Sequence, residues 1–110
     1  MFVSKLGADN QWTHVGPHLA TDPAISPQSI ATDGGTLYSA YVQRVNDVPH
    51  VDVFALVNST WPRLAQPTPS GSTADSALLA GAAGGGVWLL AHETTGGKST
   101  FQLELLKATN

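Results

Sequence analysis

Apolar residues recur at every second position in two stretches of the chain, Val51-Asp52-Val53-Phe54-Ala55-Leu56 and Phe101-Gln102-Leu103-Glu104-Leu105. Successive side chains of a β-strand point to opposite faces, so this period predicts strands with one buried face. The other apolar runs are short and are bounded by Gly, Pro and Asn. Together they predict strands over 2–6, 11–15, 29–32, 36–42, 51–57, 60–64, 77–80, 87–92 and 101–107. One segment, 72–83 (STADSALLAGAA), also fits a short helix capped at Ser72 or Asp75. Gly81 and the glycines at 84 to 86 would cut such a helix short, and a strand over 77–80 is preferred. Many short strands with Gly, Pro and Asn turns predict an all-β fold.

Two of these runs have the same layout. Residues 29–42 read SIATDGGTLYSAYV and residues 78–93 read LLAGAAGGGVWLLAHE. Each is an apolar run, a Gly-rich turn and an apolar run bearing an aromatic, which is a hairpin signal. The likeness extends along the chain. Tyr38 and Trp88, Leu6 and Leu56, Val51 and Phe101, and Gly35 and Gly85 are each 50 residues apart, and Trp12 and Trp61 are 49 apart. The segment ADNQWTHVG matches NSTWPRLA with one gap, and VDVFALVNST matches FQLELLKATN. The chain is therefore one unit written twice: a full period holds four predicted strands, the fourth headed by Trp, and the second copy stops after its third.

Four short strands in a repeat of this length resemble a blade of the bacterial β-propellers whose blades end in a Trp-headed outer strand. The pattern covers 11–65 well, and 77–110 is a degenerate second copy. Kelch-type repeats, with Gly-Gly after an apolar run and a later Trp, are a near neighbour. The sialidase box Ser-x-Asp-x-Gly-x-Thr-Trp is not met, since Ala31-Thr32-Asp33-Gly34-Gly35-Thr36-Leu37-Tyr38 has Ala for Ser and Thr one place early. The resemblance implies a propeller segment of about two four-stranded blades: a partial blade over 1–16, a blade over 26–65 and an incomplete blade over 76–110. A propeller needs about four to eight blades. The segment would be completed by a larger parent propeller or by association of copies, three of which would give about six blades. In such a ring the Trp12 strand would complete a neighbour's sheet. The runs 1–6 and 101–107 then compete for one third-strand position, and the displaced one is expected to fray or to lie at an outer edge.

Composition narrows the partners. The chain has 110 residues, 42% apolar and only 12% charged, with net charge -3 and five scattered basic residues. Nucleic-acid binding needs clustered Lys and Arg, so it is not expected. Cysteine is absent, which excludes disulfides and thiolate chemistry. No apolar run approaches the ~20 residues of a membrane-spanning helix. The start MFVSKLGADN lacks the basic and long apolar regions of a signal peptide. The low charge and the Ser, Thr and Asn of the loops point to an extracellular setting.

Candidate chemistry is sparse. His14 and His18 have a metal-ligand spacing only on a helix, and Gly16-Pro17 lies between them. No metal or cofactor is expected. Asp22, Asp33 and Asp47 fall in turns, where a carboxylate bonds backbone amides. The triple glycine at 84–86 has no following Lys-Ser/Thr, so a turn with positive φ explains it better than a phosphate loop. Asn58-Ser59-Thr60 fits the glycosylation acceptor pattern. No catalytic residues are assigned. The aromatics recur in register, and their simplest role is packing between blades. The alternative role is a lectin-like site in which Trp12, Tyr38, Trp61, Arg63 and Trp88 stack on and bind sugar rings, as small oligomeric propeller lectins do. The expectation is a non-catalytic binding or scaffold module that self-associates, with a trimer favoured and glycans as ligands. Two alternatives stand beside it: a fragment of a propeller enzyme such as a glycosidase, and a designed or evolved fragment with no ligand.

Overall fold

Two pairs of residues with positive φ set two of the long hairpins among the described residues: Asn46 and Asp47 (51° and 64°) and Gly96 and Gly97 (57° and 78°). Both central residues of a two-residue turn then lie in the left-handed region, the type I′ geometry whose twist matches that of the strands it joins. Asn, Asp and Gly tolerate that region best. In the computed structural model, which describes residues 3–16 and 28–108, these turns join β4 (Leu37–Val45) to β5 (Val48–Ala55) and β8 (Val87–Thr95) to β9 (Lys98–Leu106). The other strands among the described residues are β1 (Ser4–Leu6), β2 (Trp12–His14), β3 (Ser29–Thr32), β6 (Arg63–Ala65) and β7 (Ser72–Gly81). They form three antiparallel sheets, ordered β1-β2, β3-β4-β5-β6 and β7-β8-β9. The fold is all-β.

The fifty-residue repeat holds at the level of register. Tyr38 opposes Ala55 and Trp88 opposes Leu105; Val42 opposes Val51 and His92 opposes Phe101. Several strand limits differ from those expected. Segment 72–83 is not helical, and its strand β7 starts five residues before 77. A register shift between Ala74 and Ser76 accommodates Asp75 as an extra residue. That bulge brings Ser72, Ala74 and Ala77 to one buried face and breaks the period that would mark a long strand. Strand β5 starts at Val48 and β8 runs to Thr95, because the hairpin ladders continue through polar residues to their turns. The predicted strand 60–64 is displaced: Val57 and Thr60 close a tight turn over Asn58-Ser59, and β6 forms only from Arg63, after Pro62. Within the single chain, strands β1 and β9 lie in different sheets. Strand β1 pairs with β2 in its own sheet, and β9 pairs with β8 in another.

Alternation then decides what packs where. The second sheet turns Ala40, Val42, Val51 and Val53 toward Ala74, Ala77, Leu89 and Ala91 of the third. Tyr38 and Ala55 meet Val87 beside them. Small side chains bring the two backbones close: an added Cβ at Gly81 would lie 2.3 Å from the carbonyl oxygen of Thr32. The opposite face of the second sheet carries Tyr41 and Phe54, whose rings stack at 5.6 Å, together with Trp61. The first sheet covers that face with Val3 and Val15.

Candidate functional site

The turn between β3 and β4 places Asp33 where its carboxylate gathers donors from both repeats. Oδ1 accepts from the backbone N–H groups of Gly35 (2.9 Å) and Thr36 (2.7 Å). Oδ2 accepts from the N–H of Gly86 (2.7 Å) and from the Tyr38 hydroxyl (3.3 Å). These backbone bonds hold the carboxyl well below the usual carboxylate range. The Tyr38 hydroxyl in turn accepts from the N–H of Ala108 at 3.2 Å. Tyr38 is buried and fastens the third sheet to the second. Asp47 occupies its hairpin turn, while Asp22 lies outside the described residues.

Trp61 is also buried, and its indole Nε1–H donates to the carbonyl of Val15 at 2.8 Å. It ties the first sheet to the second, and Gly16 (φ 74°) leaves room for the ring, since a Cβ there would lie 2.7 Å from Nε1. Arg63 is half-exposed. Its guanidinium stands 3.6 Å from Asp52, a fully buried carboxylate that also accepts bonds from Gln43 and, at 2.9 Å, from Gln66. Three of the five sequence candidates, Tyr38, Trp61 and Arg63, are therefore engaged in contacts that hold the fold.

Trp12 and Trp88 differ from these. Trp12 is 69% exposed and Trp88 43% exposed. Trp12 lies opposite Leu6 in the β1–β2 ladder, on the face turned away from Val3 and Val15. Trp88 stands on the face of the third sheet turned away from the second. Around it are Leu78, Leu90, Phe101, Leu103 and Leu105, all exposed. The register aligns Leu78, Leu90 and Leu103 across the three strands and Ala80, Trp88 and Leu105 beside them. Leu78, Ala80, Trp88, Leu90 and Leu103 line an open groove of about 350 Å³. Phe101 stacks on His92 at 4.9 Å at one margin. The imidazole of His92 lies 3.6 Å from Asp75, the bulged residue of β7.

Sequence reasoning singled out Trp88 but missed this surface. The alternation in Phe101–Leu105 was expected to mark a buried face, yet in β9 the apolar side points outward and Gln102 and Glu104 point inward. The signal was present in the repeat itself. Advancing fifty residues turns Ala40 into Leu90, Val53 into Leu103 and Ala55 into Leu105, so the outward face is bulkier than the equivalent covered one. Burial raises the Glu93 carboxyl, whose Oε2 has no hydrogen-bond partner among the described residues. His18, half of the spaced histidine pair, lies outside the described residues. Among the described residues no three His, Asp or Glu side chains gather as a metal site. No helix among them is long and apolar enough to cross a membrane. No protein-family model matches the chain, and no curated protein or solved structure matches it.

Proposed function

We propose that the chain is a non-catalytic binding and scaffold module of propeller-blade-like units that associates with further copies of itself through its exposed sheet face. The observation that carries this reading is the outward face of the third sheet, where six large apolar side chains stand exposed in register. Apolar patches of that kind on a folded chain mark interaction surfaces. A ring of three copies, giving about six blades, is the assembly favoured by the repeat. Light scattering after size exclusion tests the reading. The expected mass is a multiple of 11.4 kDa, with three copies favoured, and a monomer at all accessible concentrations would refute self-association.

A second reading rests on Trp88 alone among the four aromatic candidates, because its partly exposed ring borders an open groove. Such a ring presents an apolar face with a polar N–H, which suits the C–H face of a neutral sugar. Titration with oligosaccharides should then quench tryptophan fluorescence in the native chain and not in Trp88→Ala. An unchanged signal across a glycan panel would remove this reading.

A further inference from the structure

The two ends of the sheet stack carry the two halves of one kind of interface. Among the described residues, both sheet-to-sheet contacts join unlike faces. The second sheet offers the Tyr38, Ala40 and Val53 face to the third, and its opposite face, with Leu56 and Trp61, is covered by the first. Moving fifty residues forward from the first of these faces gives Trp88, Leu90 and Leu103, the exposed face of the third sheet. Moving fifty and forty-nine residues back from Leu56 and Trp61 gives Leu6 and Trp12, the exposed face of the first sheet. Each end thus exposes the repeat equivalent of a surface that the chain buries elsewhere, and the two surfaces are of complementary type.

We propose that the Trp88–Leu90–Leu103 face of one copy docks on the Leu6–Trp12 face of a second copy, in a head-to-tail interface. This inference rests on the self-association reading above, with sheets of two copies stacked face to face in place of one strand completing a neighbour's sheet. Side-chain size favours the unlike pairing. The outward face of the third sheet is built of large residues, whereas the first sheet is only two strands wide and places Ser4 and His14 next to Leu6 and Trp12. The groove between Leu78, Trp88 and Leu103 gives the exposed indole of Trp12 a site to fill. None of these facing residues is Asp, Glu, Lys or Arg, so the contact forms without burying an unpaired charge. Because the two surfaces differ, the contact is heterologous: it closes a ring where the rotation between copies permits, and otherwise propagates.

Complementation between two variants tests the pairing. Leu103→Asp disables the third-sheet face and leaves the Trp12 end intact. Trp12→Asp disables the first-sheet face and leaves the Leu103 end intact. Native mass spectrometry and sedimentation should find each variant monomeric alone, and an equimolar mixture should give a 1:1 heterodimer that grows no further. Formation of that heterodimer also shows that both variants are folded; Leu103→Ser and Trp12→Ser provide milder versions of the same pair. A homodimer of Trp12→Asp alone would mean that the third-sheet face meets itself and would overturn the head-to-tail pairing. So would a mixture of folded variants that stays monomeric while the native chain associates. A native chain that never associates would instead overturn the self-association reading on which this one rests.

Discussion

Asp33 has both carboxylate oxygens engaged, and one of its donors, Gly86, lies 53 positions further along the chain in the second repeat. Its charged form is the one those donors favour, so its acidity in the folded chain is stronger than in the unfolded chain. The contribution to stability is therefore complete above the unfolded-state value of about 3.9 and is lost as pH falls below it. Thermal melts across a pH series should show a midpoint that drops on acidification from about pH 5 downward. Asp33→Ala should lower the midpoint at neutral pH and flatten that acid slope. The turn role of Asp33 was legible in Thr32-Asp33-Gly34-Gly35, because a short acidic side chain before glycines bonds local amides. Its reach to Gly86 was not, because nothing local in the sequence reports which distant amide a folded turn will meet. Tyr38 and Trp88 make the same point. They hold one repeat position, yet one is buried and the other exposed, because exposure depends on whether another sheet lies over that face.

At the scale of the element, the two hairpins with Gly-rich turns were the most legible part of the chain: the turns at 33–35 and 84–86 are local signals, and they join β3 to β4 and β7 to β8. Strand length was less legible, since Thr94-Thr95 and Lys98-Ser99-Thr100 extend the β8–β9 ladder with residues that carry no apolar pattern. The direction of a face was not legible from the alternation of a strand. Alternation separates two sides of a strand but does not say which side will be covered, and β9 turns its apolar side outward. Leu89, in the strand beside it, points the other way and is fully buried between Ala40, Val53 and Ala77. Leu89→Ala leaves a cavity that neighbouring strands cannot readily fill, so chemical denaturation should show a loss of about 2–5 kcal/mol. The same truncation at exposed Leu103 should leave the stability of the single chain nearly unchanged while weakening association, which separates the two roles.

At the scale of the whole molecule, the fold rests on contacts between unlike faces, and polar clasps sit where those contacts begin. The Asp33–Tyr38–Gly86 bonds join the second and third sheets, and the Trp61–Val15 bond joins the first and second. The repeat counterpart of Asp33 is Ala83 and that of Ser29, whose hydroxyl accepts from the N–H of Leu79 at 2.9 Å, is Leu79 itself. The second unit therefore lacks the clasps with which the first holds its successor. A partner covering the third sheet would be held by apolar area, which would make that contact separable in a way the internal ones are not. The tandem repeat was legible from sequence because its spacing is nearly invariant. The stacking order was legible only in outline, since it depends on which faces the chain itself covers.

The identical register of the two hairpins carries a hazard during folding. Strands that align at the same offsets can pair with the wrong copy, as tandem repeats do when they misassemble. The replacement of Ala40, Val53 and Ala55 by Leu90, Leu103 and Leu105 works against this error. A β8–β9 hairpin inserted in place of β4–β5 would put three leucines where two alanines and a valine pack. Divergence between the repeats therefore acts as an address, fitting each hairpin to its own place in the stack.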